Sequence, residues 1–366
     1  MGEIVFELPV VKSKKLNNIT NIKPIRFYDK KDPYYEFSNY YPYPITIEGI
    51  TYPTSENYYQ SQKFVYEEAS PKSLAYSKII AQAKTPNKSR ILALQKPGGG
   101  YKWRTDLNDI IEEYKSATIN PDWDKVRNNV MRKAIYAKFN NSPLKDILLE
   151  TYPHELIESS PRDDYWGEGK LKNGKNMLGK ILEEVRFILR IINKLPTDPI
   201  PSPYSKAQWV IPGVLIASSY IGSKEITDKL VNGAGVTVFV DLVDTKQRKN
   251  LNLYLYYDSS SFTQDYISFP IEDRKIENDL ETLKIVKLIS SLISEGETVA
   301  VHCLGGKGRT GIIIALVIWM IYGINAEDVL YFTEKNFQLR EDKGKRCPHS
   351  PQTKIQKNQV KRIIEK

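Results

Sequence analysis

"ETVAVHCLGGKGRTGIIIALVIWMIYG", residues 297–323, decides the fold of the second half of this chain. An apolar run of strand length, 297–304, meets a turn with glycines at 305, 306 and 308. A long apolar stretch follows, 311–324, too short to span a bilayer and so read as a buried helix. Working outward, "VTVFVDLV", 236–243, predicts a second strand. "NDLETLKIVKLISSLISEG", 278–296, predicts a helix closed by Gly296. Strand, helix, strand, glycine turn and helix imply an α/β domain with a central, mostly parallel sheet flanked by helices.

The turn carries chemistry. A thiol is a poor nucleophile at neutral pH unless amides, a helix N-terminus or a cation stabilise its thiolate. Cys303 has all three in prospect. Leu304, Gly305, Gly306, Lys307, Gly308, Arg309 and Thr310 can wrap their amides around a phosphate as an anion nest. Arg309 is placed to grip that phosphate with its bidentate fork. Thr310 can assist the sulfur, and His302 orients the loop without acting as a base. Such a site attacks a phosphate monoester and forms a phosphocysteine. The plainer alternative is an inert cysteine in a glycine-rich turn. Lys307 adds charge that favours strongly anionic substrates, or points to solvent.

Bulk properties bound the rest. The chain has 366 residues, enough for two domains, and is 41% hydrophobic. Cys303 and Cys347 are its only cysteines, so it is no disulfide-built secreted fold and fits a reducing, cytoplasmic setting. Cys347 reads as a free thiol or as a redox partner of Cys303. The start "MGEIVFELPVVKSKK" is not a signal peptide, and Phe6 stands where myristoylation wants Ser or Thr. A net charge of +9 fits anionic ligands, or a lysine-rich composition alone. Histidines at 154, 302 and 349 are too scattered for a metal site, and neither a metal nor another cofactor is implied.

Prolines at 196, 199, 201 and 203 mark a linker. The chain divides into an N-terminal extension, 1–24, a first domain, 25–192, a Pro-rich linker, 193–206, and a second domain, 207–366. Helical patterns dominate the first domain, with tyrosine-laden extended stretches such as 40–52, giving an α-rich α+β class. In "YPTSENYYQSQKF", 52–64, helical spacing puts Glu56, Tyr59, Gln60 and Lys63 on one face. A surface salt bridge is the plain account of that face.

The string His-Cys-x5-Arg-Thr-Gly resembles the cysteine-dependent protein tyrosine phosphatase superfamily, most closely its dual-specificity and kinase-associated branch. The resemblance extends to "FPIEDRKIEND", 269–279, where it implies that Asp273 is the general acid; Asp279 is the next carboxylate, and helix-entry solvation is the alternative. In "SPQTKIQKNQV", 350–360, Gln352 and Gln356 read as packing or water-positioning groups, or as one face of an amphipathic helix.

Four blocks of the first half resemble the NADAR family, which includes YbiA-type N-glycosidases: "EFSNYYPYPITIEGITYPTSENYYQSQKF", "DWDKVRNNVMRKAIYAKF", "LIESSPRDDYWGEG" and "NGKNMLGKILEEVR". The family implies cleavage of an N-glycosidic bond, in ribosylamino intermediates of riboflavin synthesis or in ADP-ribosylated guanine. Breaking a ribosyl–nitrogen bond builds positive charge on the sugar, which a carboxylate stabilises. The resemblance assigns that work to Glu56 and Asp163, with Asp164 as alternate. Lys63 balances charge or binds phosphate. Trp123 and Trp166 offer flat faces to a base or ribose, or pack in the core. Asn39 and Asn176 read as substrate-side donors, and Gly167 belongs to the same block. The sequence departs from the family's pattern at Asn57 and Asn120.

The expected activity is therefore a bifunctional hydrolase, an N-glycosidase joined to a phosphomonoesterase. The alternative is a protein phosphatase carrying a non-catalytic ADP-ribose or nucleic-acid binding module. The expected partners are a phosphorylated ribose or nucleotide-type small molecule, or ADP-ribosylated nucleic acid. A phosphoprotein is the other possibility, and no membrane is involved.

Overall fold

A computed structural model describes residues 22–94, 105–197, 200–258, 262–344 and 349–366. Cys347 lies outside the described residues. The first half runs β1 (Ile25–Phe27), β2 (Ile45–Ile47), β3 (Ile50–Tyr52), α1 (Ser55–Ser61), α2 (Pro71–Ala81), α3 (Pro86–Ala93), α4 (Thr105–Glu113), α5 (Trp123–Phe139), α6 (Leu144–Glu150), β4 (Leu156–Glu158) and α7 (Met177–Ile192). β2 and β3 form a hairpin across Glu48 and Gly49, both with positive φ, as a tight two-residue turn requires. β1 pairs in parallel with β4. Side-chain caps start the helices: Thr54 accepts the Asn57 amide at α1, and Ser70 and Thr85 precede prolines at the starts of α2 and α3. Leu178, Ile181, Leu182, Val185, Ile188 and Leu189 of α7 are buried at helical spacing and form its core face.

The second half runs β5 (Ala207–Ile211), β6 (Leu215–Ser218), α8 (Lys224–Asp228), β7 (Val238–Val243), α9 (Thr245–Asn250), β8 (Asp265–Ile271), α10 (Asp279–Glu295), β9 (Val299–His302), α11 (Gly308–Tyr322), α12 (Ala326–Gln338) and α13 (Lys354–Ile364). The sheet order is β5-β6-β9-β7-β8, parallel except for the β5–β6 pair. β7 and β9 are buried at every residue, because helices cover both faces of the sheet. β9 is the central strand, and Cys303 is the first residue past its end. Gly296 caps α10 with a φ of 106°.

The two halves share one core. α5 packs against α10 and α11, and α7 packs against α12. At the seam the Arg132 guanidinium donates to both oxygens of Glu184, at 2.8 and 3.0 Å. The Tyr322 hydroxyl of α11 donates to the same carboxylate at 2.7 Å. Asn128 donates to the Ser294 carbonyl at 2.8 Å and Asn129 to that of Ser290 at 2.6 Å. A buried bidentate ion pair with a third donor has its charges answered on the spot, as a buried pair requires. No helix among the described residues is long and apolar enough to cross a membrane.

Candidate active sites

Residues 303–308 leave the central strand and turn directly into α11. Gly306 has a φ of 63°, and a Cβ there would lie 2.3 Å from the Ser218 carbonyl, so only glycine fits. Its amide donates to Cys303 Sγ at 3.2 Å. Arg340 holds the loop from behind. Its guanidinium donates to the carbonyls of Gly305 at 3.3 Å and Gly306 at 3.2 Å, and to Gln208 Oε1 at 2.7 Å. Drawing those carbonyls outward turns the adjoining amides inward, which is how a backbone nest is made. Burial pulls Arg340 down to about 10.

Cys303 is buried. Burial pushes its thiol up; the Arg309 charge, Thr310 and the Lys307 amide outweigh that and hold it below the usual thiol value. The result is more thiolate at neutral pH. His302 is fully buried, 2.6 Å from the Tyr256 hydroxyl through Nε2, and burial lowers its pKa. It is thus a neutral positioning group in this structure. Asp241, beside it at 3.8 Å, is itself held by Arg248 at 2.7 Å and Tyr266 at 3.0 Å.

Arg309 is buried, and its terminal nitrogens point at the loop that carries Asp273. Nη1 donates to the Ile271 carbonyl at 2.9 Å, and Nη2 donates to Gln247 Oε1 at 2.8 Å and to Asp273 Oδ1 at 3.0 Å. The Asp273 side chain is half exposed. An open groove of about 650 Å³ beside it is lined by Asp244, Lys246, Gln247, Asn250 and Pro270. Asp279 is no reserve acid. Arg362 donates to both its oxygens, at 2.8 and 2.7 Å, which holds its carboxyl far below the usual range. Gln356 is buried, and its Nε2 donates to the Lys275 carbonyl at 3.2 Å, while its Oε1 accepts the Gln352 and Thr353 amides. It ties α13 to the segment that follows Asp273. Lys307 is half-buried, with its ammonium 5.8 Å from the Phe337 ring, and does not simply point to solvent.

In the first half, Glu56 is buried on α1 and accepts from Gln60 Nε2 at 2.8 Å. Burial pushes its carboxyl up, Gln60, Lys63 and Arg90 pull it back, and Asp163 raises it again. The helix tightens after Ser61 into a short turn, Gln62–Phe64, that carries Lys63. Burial lowers the Lys63 ammonium, and Nζ stands 5.8 Å from the Tyr59 ring and 5.9 Å from that of Trp123. Tyr59 meets Trp123 and Trp166 edge-on, at 5.1 and 5.4 Å. The structure therefore brings Glu56, Lys63, Trp123 and Trp166 together around Tyr59. Asp163 Oδ1 accepts the amides of Tyr165 at 2.9 Å and Trp166 at 2.8 Å. Asp164 presents its backbone carbonyl to Lys175 at 2.7 Å. Gly167 is wedged in the same segment, where a Cβ would lie 2.7 Å from the Glu158 carbonyl.

Two expected substrate donors are spent on the protein. Asn176 accepts the Glu158 amide at 3.0 Å and donates to the Leu156 carbonyl at 2.8 Å. Asn39 accepts from Ser55 at 2.9 Å, and its amide group faces Met131 Sδ at 3.2 Å. The two departures from the family pattern are also structural. Asn57 donates to the carbonyls of Ala81 at 3.2 Å and Ala83 at 2.9 Å and so closes the end of α2. Asn120 donates its amide to the Lys63 carbonyl at 2.7 Å and joins that turn to the start of α5. Sequence reasoning missed Arg90, which acts on Glu56, Gln247, which holds Arg309, and Arg340, which holds the loop; none carries a local signature.

Residues 26–190 match the NADAR domain family, and residues 204–359 match the family described as "Swiss Army Knife protein, DSP-PTPase phosphatase domain". The chain is 32% identical over 182 residues to N-glycosidase YbiA of Escherichia coli, covering half of this chain and 98% of YbiA. It is 34% identical over 167 residues to N-glycosidase Npun_R5314 of Nostoc punctiforme, covering 45% of this chain and 92% of that protein. In the second half, the crystal structure of Tk-PTP in the active form aligns at 18% identity with a TM-score of 0.34, covering 44% of this chain and 99% of Tk-PTP.

Proposed function

Because this chain belongs to the NADAR family through its first half and carries a DSP-type phosphatase domain in its second, we propose that it is a bifunctional hydrolase. The second site hydrolyses a phosphate monoester through a phosphocysteine. The observation that carries this reading is the Cys303 thiol, held low beneath a loop whose carbonyls Arg340 draws outward. The thiolate attacks phosphorus, loop amides and Arg309 take the equatorial oxygens, and Asp273 protonates the leaving oxygen. Asp273 then accepts a proton from the water that cleaves the phosphocysteine. The groove along α9 receives the leaving group, and its Lys246 suits a phosphorylated ribose or nucleotide.

The first site cleaves a ribosyl–nitrogen bond, in ADP-ribosylated guanine or a ribosylamino-pyrimidine phosphate. Glu56 supports this reading: a buried carboxylate among aromatic rings stabilises a sugar cation with little competition from water. Lys63 and Arg90 supply charge for the substrate's phosphate, and a thiolate nucleophile in the same chain fits a cytoplasmic protein.

The test uses the full chain. Cys303→Ser should lose aryl phosphatase activity and keep N-glycosidase activity, and Glu56→Gln should do the reverse. If wild type binds ADP-ribose but cleaves neither N-riboside, the first half is a binding module.

A further inference from the structure

The Arg309 fork is fully engaged before any phosphate arrives. Nη1 donates to the Ile271 carbonyl at 2.9 Å and to that of Leu242 at 3.4 Å. Nη2 donates to Gln247 Oε1 at 2.8 Å and to Asp273 Oδ1 at 3.0 Å. A terminal guanidinium nitrogen carries only two hydrogens, so both nitrogens are spent. A phosphate oxygen gains a hydrogen bond from either one only where a present partner gives way.

Those partners differ in how firmly they are placed. Leu242 and Ile271 offer backbone carbonyls on β7 and β8. Gln247 is half-buried on α9, where Asp244 caps its backbone amide at 2.9 Å. Asp273 lies on a loop past β8, and its side chain is half exposed. Asp273 is therefore the partner able to leave. On the phosphatase reading it has to leave, because its carboxyl serves the departing oxygen. Once it has turned away, Gln247 is the one side chain among the described residues still hydrogen-bonded to the terminal nitrogens. Asp244 Oδ2 stands 3.7 Å from Nη1, beyond hydrogen-bond distance. A glutamate at 247 would make the same contact and answer the cation. A neutral amide orients the fork and leaves its charge unspent.

We propose that Gln247 is the positioning residue of Arg309, fixing the fork through its amide oxygen while leaving the positive charge to the phosphate. The inference rests on the phosphatase reading and adds an order of events to it. The incoming oxygen takes the Nη2 hydrogen that Asp273 holds, and Gln247 stays. Asp273, set free, takes a proton from solvent and later hands it to the leaving oxygen.

The experiment compares wild type, Gln247→Glu and Gln247→Met as full chains. Glutamate keeps the acceptor and adds charge; methionine keeps the length and loses the acceptor. Three readouts are taken: kcat and KM on nitrophenyl phosphate, the pH midpoint of Cys303 alkylation by iodoacetamide followed on its own peptide, and protection of that thiol by inorganic phosphate. Melting temperature is measured alongside. The titratable groups around the thiol are Arg309 at the start of α11, Arg340 past α12 and His302 before it on β9. Of these, Arg309 is the one bonded to Gln247. Its charge helps hold the thiol low, so answering that charge moves the alkylation midpoint to higher pH. Gln247→Glu should therefore raise the midpoint, and KM and the phosphate needed for protection should rise ~10–100-fold. Gln247→Met should leave the midpoint near wild type and lower kcat ~10–10²-fold, as a loosened group does. An unmoved midpoint with unchanged phosphate protection in Gln247→Glu overturns the inference. So does Gln247→Met turning over within twofold of wild type. Equal rate losses in both variants, with melting temperature falling alongside, also overturn it, since the role is then structural. Wild type that hydrolyses no aryl phosphate overturns the phosphatase reading alone; the alkylation and phosphate arms then still decide Gln247.

Discussion

The two sites are built in opposite ways. The loop of the DSP-type phosphatase domain is one run of chain, Cys303 to Thr310, and on the proposed reading its backbone supplies most of the phosphate-binding groups. The first site, proposed to cleave an N-riboside, is gathered from α1, the turn after it, the start of α5 and the loop that follows β4. A phosphate is small, symmetric and fully charged, so consecutive amides and one arginine suffice, and such a nest is local by geometry. A sugar cation is transient and its base is large. It needs side chains at several angles, and only tertiary structure brings those together.

That contrast can be broken most sharply at Cys303. Cys303→Ser should cost ~10⁴-fold or more in aryl phosphatase rate, because no other group can replace the nucleophile, while N-riboside turnover is unchanged. A phosphatase assay that survives the substitution would end the one-run account. Next comes Asp273, the part of the site contributed by another loop. Asp273→Asn should cost ~10²–10⁴-fold with alkyl phosphates and far less with nitrophenyl phosphate, whose leaving group departs unprotonated. Equal losses on both would make Asp273 a mere anchor for Arg309. In the dispersed site, Glu56→Gln should cost ~10²–10³-fold in N-riboside turnover, with ADP-ribose affinity retained. The smallest effect is expected at Asn57. Asn57→Ala frees the end of α2 and should cost ~1–3 kcal/mol of stability by denaturant melts, with turnover per folded molecule unchanged. A rate loss there would mean that the scaffold behind Glu56 sets the chemistry.

The same contrast explains what could be read from the chain. The strand, glycine turn and helix around Cys303 were legible because periodicity and glycine spacing are local facts. Arg340 was not, since nothing in "FQLRED" says that its fork reaches back to carbonyls at 305 and 306. The family pattern makes Asn176 and Asn39 substrate-side donors; in the structure Asn176 bonds the backbone at 156 and 158 and Asn39 meets Ser55 and Met131, as buried polar groups must find partners.

The seam of Arg132, Glu184 and Tyr322 changes how the chain can be taken apart. A proline-rich stretch invites scissors, but a cut between 193 and 206 would strip α10 and α11 from α5 and bare an apolar surface on each fragment. It would also leave Glu184 without its tyrosine and the Ser290 and Ser294 carbonyls without their asparagines. Fragments made that way would report on their wounds as much as on their chemistry. The chain is better dissected by silencing one site at a time in an intact molecule.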